Sequence, residues 1–470
     1  MKMPRVRRLI SLAVLLAACW ATPARAEELP AVKHVFVIVL ENKDYDESFG
    51  PESQAPYLSK ELIKQGQLLR EYYGTSHASL GNYLTMVSGQ APNPDTQGDC
   101  MVGFKDIFPG TSTPDGQTMG SGCVYPADVK TVAGQLQEKG LGWKGYMEDM
   151  GTPCRHPGPN ERDDTQSARA DDQYATRHNP FVYFHSIIDD DASCKAHVVD
   201  LKELATDLGS AATTPVLSFI TPDLCSDGHD TNCVDGRPGG LVSADAFLKE
   251  WIPRITGSPA YADGGLVMVT WDEANIGEGT QSAACCNQPT GPNTPSPGIF
   301  GPGGGKTGSV LISPFVAPGS VNDTPYNHYG LLRSIEDLYG LGHLGYAGQS
   351  GLKPFGGDVF GRAETVDLSR PGSSRAPCTF RALKPRNRRL APGSLVTGIR
   401  IDRRRASKPV LVLTTARRAR LFVRITGRKR ALQRSARRCG AVRVALGRRH
   451  GRVSLAASVR QGTERRTIVF

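Results

Sequence analysis

The run Val35-Phe36-Val37-Ile38-Val39-Leu40 constrains this chain more than any other segment. Six consecutive apolar side chains leave no polar face. Such a segment is at home as a strand only where both faces of a sheet are covered. It ends abruptly in Glu41-Asn42, and Leu266-Val267-Met268-Val269-Thr270 ends the same way, in Trp271-Asp272-Glu273. In open α/β sheets, ligand chemistry lies just beyond the carboxyl ends of the strands. Two strands that each deliver carboxylates to that edge suggest one metal site drawn from distant parts of the chain. The same acids read equally well, one strand at a time, as solvated loop residues or helix caps.

Further segments extend the pattern. Gly142 to Tyr146, Pro215 to Ile220 and Val310 to Pro314 read as strands. Tyr57–Gly66, Tyr83–Val87, Thr131–Lys139, Ser243–Ile255 and Tyr329–Tyr339 read as helices, and Asp245 as a helix cap. Strand–helix alternation over some 330 residues means a parallel or mostly parallel sheet flanked by helices. Residues 89–125, 150–180 and 287–305 read as polar or Gly/Pro-rich loops.

The net charge of +10 is misleading until it is divided. Residues 371–470 hold 28 Lys/Arg against Asp402 and Glu464, a net +26. Residues 27–370 hold 23 Lys/Arg against 44 Asp/Glu, a net −21. An acidic body therefore carries a basic tail. The expected organisation is a signal peptide at 1–26, a catalytic domain at 27–362, a linker at 363–390 and a basic β-rich domain at 391–470. The tail's short apolar runs suggest a small β-sandwich. Its sparse aromatics (Phe380, Phe422 and Phe470) disfavour recognition of nucleic acid by base stacking. Three roles remain open for it: a solvated domain, a dock for an anionic cell-surface polymer or lipid, or a contact with the acidic body.

Lys2, Arg5, Arg7 and Arg8 precede an apolar stretch and then Ala24-Arg25-Ala26, the pattern of an exported protein. Leu16-Ala17-Ala18-Cys19 also fits a lipoprotein box, although Trp20 and the later cleavage site favour ordinary cleavage. Ten cysteines remain beyond Cys19, an even number that argues for disulfides. Cys100 with Cys123 and Cys225 with Cys233 suit local staples. The adjacent Cys285 and Cys286 are expected to pair with different partners.

Five stretches stand out together: HVFVIVLENKDYDESFG (34–50), SHASLGNYLTMVSG (76–89), ITPDLCSDGHD (220–230), VTWDE (269–273) and HYGLLRSIEDLYGL (328–341). In this order they resemble the bacterial and fungal phosphoesterase family of acid phosphatases and phospholipases C, related to the alkaline phosphatase superfamily. The resemblance implies a three-layer α/β sandwich with a mostly parallel central sheet and a metal-assisted site for phosphoester hydrolysis. It makes Ser79 the nucleophile, with Asn82 three residues on. Where many members read His-Pro-Ser-Leu-Pro-Asn, this chain has Ala78 and Gly81 in place of the prolines and keeps every reactive side chain.

Glu41, Asp272 and Glu273 offer hard oxygen ligands that suit Ca, Mg or Mn, or Zn with added histidine. Asn42 is expected to bind metal or phosphate, and Ser79 to reach the same ion. Asn82 can donate to a phosphoryl oxygen. His77, His229 and His328 supply phosphate donors and leaving-group acids, or His229 and His328 hold a second metal with Asp223 or Asp227. The leading expectation is an exported metal-dependent phosphatase acting on small phosphomonoesters. The alternatives are a phospholipase C-type diesterase acting on lipid headgroups and a non-catalytic protein that binds anionic surfaces.

Overall fold

The computed structural model describes residues 29–361 and, beyond them, the backbone of eight strands between Thr365 and Val469. The 1–26 segment, Cys19, Cys378 and Cys439 lie outside the described residues. So does most of 363–390, apart from the strand Thr365–Asp367.

The opening apolar run forms β1 (His34–Leu40), every residue of which is buried. Seven more strands complete its sheet: β2 (Gln67–Leu69), β3 (Trp143–Met147), β4 (Val198–Asp200), β5 (Leu217–Thr221), β6 (Gly265–Trp271), β7 (Ser309–Ile312) and β8 (Ser320–Asn322). Their spatial order is β8-β2-β7-β6-β1-β5-β3-β4. All are parallel except β7, which runs against both β6 and β2. The short strands β2, β4 and β8 carry too few residues to show a period in the sequence.

Alternate residues of β1 point into two separate cores. Val35, Val37 and Val39 pack with residues of α1 (Ser79–Ser88) and α3 (His328–Tyr339), among them Leu80, Leu84 and Leu332. Phe36, Ile38 and Leu40 pack with α2 (Gly240–Thr256) through Phe247, Leu248 and Ile252. This is a three-layer α/β sandwich. Each such side chain removed from water contributes about 1.5–3 kcal/mol, which is why a strand with no polar face is stable only here.

Asp245, on α2, caps a helix other than its own. Its carboxylate accepts from the N–H groups of Tyr57 (3.0 Å) and Leu58 (2.9 Å) at the start of the helical segment 57–65. Among the tail strands, Thr365–Asp367, Ala419–Ile425, Leu432–Ala436, Arg452–Val459 and Gly462–Val469 form one sheet. Val396–Asp402, Val410–Thr415 and Ala441–Ala445 form another.

Cys100–Cys123 and Cys225–Cys233 are disulfides, joined by Cys154–Cys194, which no spacing in the sequence had singled out. Cys285 and Cys286 are bonded to each other, against the expectation of separate partners. The six other described cysteines are already paired with one another. Among the described residues, no helix is long and apolar enough to cross a membrane.

Candidate active site

Register brings the two carboxylate-ended strands together. Leu40 pairs with Trp271, so Glu41 and Asp272 leave the sheet side by side. The Asp272 N–H donates to Leu40 O at 2.8 Å, and the Glu41 N–H donates to Asp227 O at 2.9 Å. Residue 42 then turns the chain with a φ of 57°. Asparagine tolerates this left-handed conformation, which a β-branched residue does not.

Ser79 is the first residue of α1, and its Oγ donates to Glu41 Oε2 at 2.7 Å. Asn42 Nδ2 donates to the same oxygen at 2.8 Å, and the Tyr83 hydroxyl donates to Oε1 at 2.6 Å. Burial, and after it the charge of Asp272, push the Glu41 carboxyl well above the usual carboxylate range, while the hydroxyl donors and Arg177 pull the other way. Asp272 is raised by burial and then by Glu273. Its Oδ1 accepts from the Asn42 N–H at 3.0 Å, and its Oδ2 is buried without a partner.

Asp227 joins this cluster from the loop after β5. Its Oδ1 accepts from the His229 N–H at 2.8 Å, its Oδ2 has no partner, and burial followed by the charge of Glu41 raises its pKa well above the usual range. Between Asp227 and Glu41 stands a residue the sequence analysis passed over. The ring of His178 is buried, 3.5 Å from Glu41 Oε1 and 3.8 Å from Asp227 Oδ2, and neither nitrogen makes a hydrogen bond. It stacks on Tyr83, with 5.3 Å between ring centres. Burial, reinforced by Arg177, holds it well below the ordinary histidine range, so it is neutral. The available signal was Arg177-His178-Asn179-Pro180 leading into the apolar Phe181-Val182-Tyr183-Phe184, which places this histidine against the core.

The other expected residues are held differently. Asn82 is fully buried, and its carboxamide ties down the preceding loop. Oδ1 accepts from the N–H groups of Thr75 (2.8 Å) and Ser76 (2.9 Å), and Nδ2 donates to Ser76 O (2.9 Å). His77 Nδ1 meets Glu273 Oε2, and its Nε2 donates to Gln281 O at 2.9 Å. His328 is neutral, its pKa lowered to about 4 by burial. Its Nε2 donates to the Asp272 carbonyl and its Nδ1 accepts from Tyr72 OH at 3.0 Å. Asp223 accepts from the N–H groups of Cys225 and Ser226 and pairs with Arg237 at 3.1 Å. The His229 ring is half-exposed and lies 3.3 Å from Asp230.

The structure thus gathers Glu41, Asn42, Ser79, Asp227, His178 and Asp272 at one edge of the sheet. Glu273 and His77 form a pair beside them, and Asp223 lies earlier in the loop that carries Asp227, tied to Arg237. Among the described residues, one trio of His, Cys, Asp or Glu ligand atoms lies within 4.8 Å: Cys225, Cys233 and Asp235. Its sulfurs are joined as a disulfide and offer no thiolate.

Residues 51–342 match the model of the Phosphoesterase family, and the chain belongs to that family. A probable acid phosphatase of Kluyveromyces lactis is 27% identical over 67% of this chain and 60% of its own length. A phosphatidylinositol-3-phosphatase of Mycobacterium tuberculosis is 25% identical over 72% of this chain and 88% of its own length. A solved structure from the alkaline phosphatase superfamily of Vibrio parahaemolyticus covers 93% of this chain and 83% of that one at 12% identity, with a TM-score of 0.41. The chain spans about three-fifths of the length of the fungal acid phosphatases it matches.

Proposed function

We propose that this chain is an exported, metal-dependent phosphoesterase that hydrolyses phosphomonoesters through Ser79. One observation carries the reading: a serine hydroxyl at a helix N-terminus donates to a buried carboxylate, beside two further carboxylates whose outer oxygens have no partner. Buried like charges are tolerated only when protons or a cation neutralise them. The orphaned Asp272 Oδ2, with Glu41, Asn42 and Ser79 around it, forms a hard, oxygen-rich donor set that fits Mg²⁺, Ca²⁺ or Mn²⁺. The His77 and His328 nitrogens are already engaged, which weighs against a nitrogen-rich zinc set. Glu41, Asn42, Asp272 and Ser79 would hold the cation, with Glu273 close by. When bound, it would supply positive charge that lowers the serine pKa and neutralises phosphoryl oxygens.

The chain's own groups do the rest. Glu41 holds the Ser79 hydroxyl and takes its proton as Oγ bonds to phosphorus and the ester oxygen leaves. The dipole at the start of α1 favours the anion, although the Leu80 N–H there already donates to Asp99 Oδ1 at 3.0 Å. Neutral His178, with both nitrogens unpaired, is placed to donate to a phosphoryl oxygen. His229, half-exposed at the rim, hydrogen-bonds the departing alkoxide, which takes its proton from solvent. Water then releases phosphate from Ser79. Disulfides in the folded body support export to an oxidising compartment.

The test is hydrolysis of p-nitrophenyl phosphate by purified full-length protein. Chelation is expected to lower turnover at least about a hundredfold, with recovery on adding back one divalent metal. Undiminished turnover in chelator would reject the metal. No turnover of any phosphoester with metal supplied would reject the enzyme.

A further inference from the structure

A cavity of about 310 Å³ opens beside the rim histidine, and none of the residues so far given a catalytic role lines it except His229. It is bounded by the polar Gln173, His229, Asp230, Thr231 and Asn232, and by Ala168, Leu224, Cys233 and Val234. Its size lies at the lower end of the ~300–1,000 Å³ range of small-molecule sites. One residue links it to the carboxylate cluster. His229 lines the cavity, and its N–H is bonded to Asp227, whose other oxygen faces His178.

Three features define what this cavity can hold. Its walls are polar but carry no Lys or Arg, so a second phosphate or carboxylate finds no counter-charge. No Phe, Tyr or Trp lines it, so a quaternary ammonium finds no aromatic cage. Its hydrogen-bonding groups are unspent. Gln173 is 4% exposed, its Nε2 is committed to Asp235 at 2.8 Å, and its Oε1 has no partner. The Thr231 hydroxyl and the Asn232 carboxamide bond to no other group among the described residues.

The loop that presents these groups is preorganised. Cys225–Cys233 closes it, and Thr231 pairs with Gly239. The Asn232 N–H donates to Pro238 O at 2.8 Å, and the Cys233 N–H donates to Arg237 O at 3.0 Å. Little conformational freedom is left to lose when a ligand binds.

We propose that this cavity is the leaving-group subsite of the esterase and that it selects a neutral, hydroxyl-rich alcohol such as a sugar or glycerol. The proposal rests on the esterase function proposed above and adds its substrate class. Thr231, Asn232 and Gln173 exchange hydrogen bonds with the alcohol's hydroxyls while His229 faces the ester oxygen. A diacylglycerol finds neither the volume nor the apolar walls it needs.

The experiment compares kcat/KM for glucose 6-phosphate, hexyl phosphate and p-nitrophenyl phosphate, using full-length protein supplied with divalent metal. The wild type is expected to prefer glucose 6-phosphate over hexyl phosphate by about tenfold or more, as two net hydrogen bonds allow. The variant T231V/N232G removes both polar groups. Glycine accepts the φ of 63° at position 232, so the loop is not strained. That variant is expected to lose about tenfold on glucose 6-phosphate and to stay within about twofold on p-nitrophenyl phosphate. Equal losses on all three esters, or a wild type that favours hexyl phosphate, would overturn the subsite alone. Failure to hydrolyse any of the three would overturn the esterase and the subsite together.

Discussion

The floor of the site and its rim are built on different physics. Glu41 and Asp272 project from adjacent parallel strands whose register is set by a fully buried apolar interface. A one-residue slip would turn every side chain of β1 to the wrong core, so the floor is as fixed as the fold itself. Beyond its buried start at 223–228, the rim loop is mostly exposed, and it is held by a disulfide, the Asp223–Arg237 pair and short backbone bonds. The nucleophile and its carboxylates sit mostly on elements that cannot move, while His229 and the groups proposed for selection sit on a loop that can be rebuilt without disturbing the core.

Four substitutions or titrations test that division, from the largest effect to the smallest. Ser79→Ala removes the hydroxyl that Glu41 holds and is expected to cost about a thousandfold or more in kcat, with folding unchanged by circular dichroism. His178→Gln keeps the bulk between Glu41 and Asp227 while changing the donor. Steady-state kinetics should show a loss in kcat/KM of about a hundredfold. A loss under threefold would move His178 from the floor's chemistry to its packing.

The third test uses pH. The unfolded chain takes up a proton on His328 near pH 6.5, while the folded protein refuses it until about pH 4. Through this group stability is fully retained above the unfolded value, falls as pH drops below it, and has lost roughly 3 kcal/mol by pH 4. Denaturant titrations of wild type and His328→Gln should converge as pH drops through that window. The smallest effect on catalysis belongs to the rim. Cys225→Ser with Cys233→Ser opens a loop of sequence separation 8 and is expected to cost about 2.5 kcal/mol in chemical unfolding. Turnover of p-nitrophenyl phosphate should stay within about threefold.

The same division explains what the sequence disclosed. The floor strands were legible because continuous apolar runs ending in acids have few other uses. The main helices followed from period, whereas the antiparallel direction of β7 did not, because neither period nor order records it. Side-chain direction was not legible. Asn82 stands where a phosphoryl donor would, yet both ends of its carboxamide are bonded into residues 75–76. His328 and His77 likewise read as open ligands, whereas each ring is bonded on both sides. His178 went unnoticed because 150–180 has no period to mark burial. Its partners lie more than 40 residues away on other elements. Cys285–Cys286 escaped prediction because pairing depends on which other sulfurs the fold brings near, and sequence spacing does not record that.

The central claim is that Ser79 carries the phosphoryl group between two half-reactions. Rapid acid quench during steady-state turnover of p-nitrophenyl phosphate, followed by peptide mass spectrometry, tests it directly. A phosphorylated peptide with the modification on Ser79, absent from Ser79→Ala and from protein without substrate, is the expected result. Unmodified Ser79 in the quenched enzyme, together with wild-type turnover by Ser79→Ala, would contradict it.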